Sequence, residues 1–182
     1  MEVLKSKIDG LLVFKPNIFK DKRGYFMESY TESFFNKNYP NINFVQENES
    51  YSKKGVLRGL HFQIPPKSQS KLVRVIYGEV LDVAVDLRLN SKTFGQHESI
   101  ILSGENKKQF FIPKGFAHGF IVLSKFAIVS YKVDNYYSPL HESGIIYNDN
   151  NLKIDWKFES DKLIVSEKDL KLDTLVNYTK KI

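Results

Sequence analysis

The sequence predicts a single all-β domain, a sandwich or barrel edged by a few short helices. Three observations carry that prediction. Short apolar runs recur through the central third, turn-forming residues separate them, and helix signals are confined to two short stretches. The composition agrees, with 14 Phe, 10 Tyr and 1 Trp among 182 residues, because aromatic side chains favour the pleated, half-buried surface of a strand. No repeat of solenoid period, low-complexity tract or Gly/Ser linker divides the chain. One domain is therefore expected over residues 1–182, with extension strands to about residue 50. A barrel core over about 51–135 and a C-terminal segment with a short helix over about 136–182 complete it.

Taken in order, Thr31 stands where an N-cap would open a short helix through Phe34 and Phe35, ending before Pro40. Leu72 to Tyr77 is apolar and rich in β-branched residues, and Gly78-Glu79 supplies a tight turn into the next run. There Leu81, Val83, Val85 and Leu87 alternate with Asp82, Ala84, Asp86 and Arg88, a period of two with one apolar face. Asp82 and Asp86 then share a polar row that faces either a pocket or solvent. Runs at Ser99–Leu102, Gln109–Ile112, Gly119–Leu123 and Ala127–Val133 follow. Ser103-Gly104-Glu105-Asn106, Pro113-Lys114-Gly115 and Ser124-Lys125 separate them. Ser166-Glu167-Lys168-Asp169 before Leu170 has the form of a capping box for a short C-terminal helix.

Composition narrows the function classes. Apolar residues at 42% and charged residues at 26% fall in the globular range and exclude wholesale disorder. No apolar run approaches the roughly 20 residues of a spanning helix, and Met1-Glu2-Val3-Leu4-Lys5 has no apolar signal core. The expected location is the cytoplasm, with no membrane partner. Cysteine is absent, which removes disulfides, thiol nucleophiles and thiolate metal sites. The 27 basic and 21 acidic residues leave a net charge of +6. That charge suits an anionic ligand, and with no recognised nucleic-acid motif beside it, no nucleic-acid partner is expected.

The chemistry begins at Gly55-Val56-Leu57-Arg58-Gly59-Leu60-His61-Phe62-Gln63. On a strand, residues two apart share a face, so His61 and Gln63 point the same way. A metal-binding cupin barrel uses that spacing as His-x-His, with a Glu ahead of a glycine turn and a later Pro-x-Gly-x-x-His. Pro113-Lys114-Gly115-Phe116-Ala117-His118 fits the last element completely. Gln63, however, holds the second His position, and Lys71 holds the Glu position. An ammonium group has no lone pair to offer a cation and repels it. The pocket is then expected to hold no metal. A cationic Lys beside a His instead suits proton removal next to a carbonyl, the imidazole as base and the ammonium facing the charge that arrives on oxygen. His97 and His141 have no supporting motif and read as surface residues.

Longer blocks extend the comparison. Val56 through Gln63, Lys71-Leu72-Val73-Arg74-Val75, Asp82 through Arg88 and Ile112 through Phe120 resemble the dTDP-4-dehydrorhamnose 3,5-epimerase family, from about Asn17 to about Leu175. The resemblance implies a cupin-like jelly-roll β-barrel, a homodimer, no cofactor and a dTDP-linked 4-keto-6-deoxy sugar as substrate. It assigns His61 as the base, Lys71 as the group that stabilises the enolate and binds substrate, and Tyr131 as the acid on the opposite face. Asp169 matches the carboxylate that orients His61, although its own sequence context, taken alone, favours a role at a helix N-terminus. Tyr137 matches an aromatic that stacks on thymine. Arg23, Glu28, Gln46, Glu47, Asn48, Arg58, His118, Glu142 and Lys168 complete the implied binding set. Small departures are Glu47 where Asp is common, Phe110-Phe111 for a pair that usually contains Trp, and Tyr147 where Trp is common. Three rivals stay open: a single-position epimerase or ketoisomerase on a related nucleotide sugar, a cupin that only binds, and a metal-dependent cupin oxygenase.

Overall fold

Strand alternation builds two sheets that face each other. The computed structural model describes residues 1–180. In chain order the elements are β1 (Glu2–Lys5), β2 (Leu12–Lys15), β3 (Phe19–Asp21), β4 (Gly24–Phe26), α1 (Glu32–Asn38), β5 (Gln46–Lys53), β6 (Val56–Gln63), β7 (Lys71–Tyr77) and β8 (Glu79–Asp86). There follow β9 (His97–Ser103), β10 (Gln109–Ile112), β11 (Phe116–Val122), β12 (Phe126–Val133), β13 (Glu142–Gly144), β14 (Ile164–Val165) and α2 (Leu175–Thr179). The first sheet has the order β1-β2-β10-β7-β12-β5. The second has the order β13-β6-β11-β8-β9, with β14 added parallel to β6, and β3 and β4 form a separate hairpin. Two opposed antiparallel sheets with crossovers between them are the cupin-like jelly roll expected from the sequence.

The core between the sheets follows from the period of two. Val73 and Val75 of β7, Ala127 and Val129 of β12, and Phe110 and Ile112 of β10 meet Ala84 of β8, Leu102 of β9, and Phe116 and Phe120 of β11. Each of the Val, Leu, Ile and Phe side chains among them contributes about 1.5–3 kcal/mol on leaving water, which is ample to hold the register.

The apolar face read from Leu81, Val83 and Val85 turns out to be the outer one. It packs with Leu57 and Ile121 beneath Ile145, Leu152, Trp156 and Leu175 of the C-terminal segment. Its polar companions therefore turn away from that cluster, and Asp82 and Asp86 are both fully buried. Asp86 accepts bonds from Arg88, Ser91 and Thr93, so the solvent-exposed alternative for this row is removed. A third cluster seats Phe35 of α1 on Phe14, Leu72 and Phe111, on the outer face of the first sheet. The turn at Gly78 requires glycine: its φ is +81°, and an added Cβ would lie 2.1 Å from the Phe126 carbonyl.

Both helix signals need adjustment. Helix α1 follows Thr31, whose hydroxyl makes no cap bond. Ser166 opens no more than a 3-10 turn at Asp169–Lys171, and the C-terminal helix is the later α2, capped by Thr174. The capping box fails because its carboxylate is engaged outside the turn. The Ser166 hydroxyl accepts the Asp169 N–H as a cap does, but the Asp169 carboxylate bonds elsewhere.

Candidate active site

A cavity of about 650 Å³ opens between the two sheets at one end of the barrel, large enough for a small-molecule ligand. Register decides which side chains reach it. In the first sheet, Asn48 of β5, Tyr131 of β12 and Val73 of β7 lie side by side, and Lys71 opens β7 beside Val133. In the second sheet, His61 of β6 pairs directly with His118 of β11. His61 and Tyr131 therefore project into one cavity from opposite walls.

The imidazole of His61 is held from behind. Its Nε2 lies 2.8 Å from Asp169 Oδ1, and the other carboxylate oxygen accepts the Gly59 N–H at 3.1 Å. Burial pushes the Asp169 carboxyl up, but hydrogen bonding and electrostatic attraction to His61, with the Gly59 and Ser166 contacts, outweigh it and set it below its ordinary value. Asp169 thus orients His61. With Nε2–H donated to the carboxylate, Nδ1 keeps the lone pair that can take a proton. Gly59 is indispensable to this packing: its φ is +124°, and a Cβ there would lie 2.5 Å from the Gly119 Cα.

Lys71 is buried and donates from Nζ to the His61 carbonyl at 3.2 Å. Burial lowers its ammonium from 10.5 to about 8, with Asp82 and Glu142 acting in the opposite direction. Asp82 also takes both of its oxygens to His118 Nε2, at 2.9 and 3.0 Å. Burial lowers the His118 imidazole despite that carboxylate, with Lys71 and His61 adding to the effect. A neutral His118 then leaves Asp82 as the counter-charge to Lys71, which is how a buried ammonium is tolerated. Burial raises the Tyr131 phenol, offset in part by Arg58 and Asn48. It therefore keeps its proton.

At the mouth, Tyr137 donates its hydroxyl to Glu142 at 2.7 Å, and Lys168 reaches the same oxygen at 2.5 Å. Burial pushes Glu142 up, yet the Lys168 and Tyr137 bonds bring it below its ordinary value. Arg58 lines the same space and is held by Ser52 through Nε.

Of the residues read from sequence, the cavity gathers His61, Lys71, Tyr131, Asp169, Gln46, Asn48, Arg58, His118, Tyr137, Glu142 and Lys168. Three stand outside it. Glu47 lies between Gln46 and Asn48 on β5, so alternation turns it to the outer face, where Ser130 and Lys132 bond its carboxylate at 2.7 and 2.6 Å. Arg23 sits at the exposed turn of the β3–β4 hairpin and bonds Asp21. Glu28 lines a separate space of about 190 Å³ near Asn17 and Thr31. The sequence reading missed Ser50, Gln69, Phe120 and Ser166 as cavity residues. Ser50 and Phe120 were within reach of it, since each lies two positions along a strand from a residue already chosen. Neither His97 nor His141 is fully exposed, and His141 pairs its Nδ1 with the Ser138 hydroxyl.

Comparison with known proteins follows the same line. The family described as dTDP-4-dehydrorhamnose 3,5-epimerase matches residues 5–177. The chain is 53% identical over 167 residues to the dTDP-4-dehydrorhamnose 3,5-epimerase of Methanothermobacter thermautotrophicus, covering 91% of this chain and 90% of that protein. It is 49% identical over 177 residues to that of Escherichia coli K12, covering 96% and 95%. Among solved structures it resembles the dTDP-6-deoxy-D-glucose-3,5-epimerase of Legionella pneumophila Philadelphia 1 in complex with dTDP-4-keto-L-rhamnose. That likeness has a TM-score of 0.92 at 48% identity, over 96% of this chain and 93% of the other.

Proposed function

This chain belongs to the dTDP-4-dehydrorhamnose 3,5-epimerase family, and we propose that it inverts C3 and C5 of dTDP-4-dehydro-6-deoxy-D-glucose to give dTDP-4-dehydro-L-rhamnose, with His61 as base and Tyr131 as acid. The reading rests above all on the placement of those two side chains on opposite walls of one cavity. Inversion needs this arrangement, because a single base that returned its own proton would restore the starting configuration.

The C4 ketone acidifies the protons on C3 and C5. His61 Nδ1 takes one of them, and the electron pair moves onto the ketone oxygen as an enolate. The Lys71 ammonium faces that charge in a site where water is displaced and its field is strong. Tyr131 then gives its proton to the carbon from the far side. Protons alone are exchanged and no electrons leave the substrate, so the chemistry balances without a redox cofactor. Arg58 is suited to the diphosphate through its planar, two-pronged guanidinium. Tyr137 offers its ring to the base, and Gln46, Asn48, His118, Glu142 and Lys168 hold the rest of the ligand.

We further propose a homodimer. The β3–β4 hairpin carries half-exposed Phe19, Tyr25 and Phe26, and β5 has a neighbour on one side only, among the described residues. A second copy that docks its hairpin along this edge brings its Arg23 and Glu28 towards the cavity, beside Gln46 and Asn48. Mixing Arg23→Ala with His61→Asn chains tests this: if the site is shared, each variant alone is nearly inactive and the mixture regains activity, whereas full activity of Arg23→Ala by itself shows that each chain works alone.

The reaction itself is tested by incubating the protein with the 4-keto sugar nucleotide in deuterated water. Deuterium should enter at both C3 and C5 with the L-configured product. Entry at one carbon only would reassign the chain as a single-position epimerase, a shifted carbonyl as a ketoisomerase, and no entry at all as a binding protein.

A further inference from the structure

Gln63 ends β6 inside the barrel, at the position that a metal-binding barrel gives to the second His of its His-x-His pair. Its carboxamide has a different set of partners. It is 6% exposed, and Nε2 donates to the Lys67 carbonyl at 2.6 Å and to the Tyr136 carbonyl at 3.2 Å. Its Oε1 accepts the Ser138 N–H at 2.6 Å. Two of these three bonds fall on the residues immediately before and after Tyr137. The Tyr137 N–H itself goes to Gln46 Oε1 at 3.3 Å.

Tyr137 lies between β12 and the 3-10 turn at Pro139–His141, outside any strand, and its ring is half exposed at the cavity mouth. A segment with no ladder bonds of its own takes its position from whatever satisfies its backbone. Here one buried amide bonds it from both sides. We infer that Gln63 is the positioning residue for Tyr137, so that the side chain standing at a ligand position of a metal-binding barrel sets the depth and tilt of the ring that receives the nucleotide base. This rests on Tyr137 being the base-stacking residue proposed above.

The residue type fits the role narrowly. A carboxamide presents two N–H donors and an acceptor within one plane, and all three partners here use them. A carboxylate of the same size keeps the acceptor and loses both donors. A methionine of similar length keeps neither.

The test has two arms. The first follows amide hydrogen exchange of residues 134–140 in the unliganded full-length protein. Gln63→Met, which removes the acceptor of the Ser138 N–H, should speed exchange at Ser138 at least about tenfold, the scale of one lost hydrogen bond, with exchange in β11 unchanged; Gln63→Glu keeps that acceptor and should speed it less. Unaltered exchange in this segment in both variants overturns the proposal. The second arm measures dTDP affinity by calorimetry in a double-mutant cycle with Tyr137→Ala. Gln63→Glu should weaken dTDP binding about tenfold in the parent and have little further effect once the ring is gone. Equal losses in both backgrounds overturn the proposal, since the amide would then act on the ligand by another route. If Tyr137→Ala binds dTDP as tightly as the parent, the stacking assignment fails separately, and the exchange arm still decides what Gln63 holds.

Discussion

His61–Asp169 and His118–Asp82 are the same pair of groups at nearly the same separation, 2.8 and 2.9 Å, on strands that are neighbours in one sheet. Their surroundings differ. The His61 side chain is 31% exposed to the cavity, whereas His118 is 8% exposed above a fully buried Asp82. The origins of the two carboxylates differ as well. Asp82 lies on β8, which pairs with β11, so the sheet itself delivers it to His118. Asp169 arrives from a turn 108 residues beyond His61, and the C-terminal segment must fold back over the second sheet to place it. The inner pair answers the charge of Lys71 and leaves little of His118 open to the cavity, while the outer pair presents nearly a third of the His61 side chain to it. The proposed base is the more open of the two imidazoles.

The largest expected difference between the pairs is in turnover. His61→Asn should lower kcat by about a thousandfold or more, the scale of a lost general base, while His118→Asn should cost roughly tenfold. Product formation followed by NMR checks both, and equal losses would erase the distinction drawn between them. Stability should show the reverse ranking. Asp82→Ala leaves Lys71 buried without its counter-charge and should cost about 3 kcal/mol in urea unfolding. Asp169→Ala should cost about 1 kcal/mol, because the His61 it strands retains access to water.

The pH dependence sharpens the role given to the inner pair. Lys71 loses its proton near pH 8 when folded, against 10.5 ordinarily. Its contribution to kcat/KM should therefore fall about tenfold per pH unit above about 8. Its contribution to stability moves the other way. Between about 8 and 10.5 the unfolded chain binds more protons at this residue, so the cost of burying Lys71 is full below about 8 and fades as pH rises through that window. The stability difference between Lys71→Met and the parent should narrow over the same range. A kcat/KM that stays level to pH 9.5 would remove the ammonium from the mechanism. The smallest effect is expected at Glu47, which grips Ser130 and Lys132, the two neighbours of Tyr131, from behind the sheet. Glu47→Gln should reduce product formation about threefold while leaving deuterium entry into recovered substrate nearly unchanged, because reprotonation suffers and proton removal does not.

Much of this was legible before any coordinates. The alternation at Leu81–Leu87 located a strand correctly, and the spacing of His61, Gln63 and His118 marked a pocket. Its direction was another matter. An apolar face at Leu81, Val83 and Val85 looks like the lining of a core, yet that side packs outward beneath Trp156 and Leu175, and nothing local says which of two buried faces is the inner one. Glu47 shows the opposite case, since period-two alternation alone would have separated it from Gln46 and Asn48. Arg23 and Glu28 carried no such signal.

Residue order by itself determined the strands, their turns and the kinds of groups present, because backbone period, glycine conformation and side-chain chemistry act over a few neighbouring residues. Whether Asp169 capped a helix or oriented His61 was decided by the tertiary structure alone. A carboxylate goes to the partners that most need its charge, and the His61 ring and Gly59 N–H became available only when a segment more than 100 residues away in sequence closed over β6.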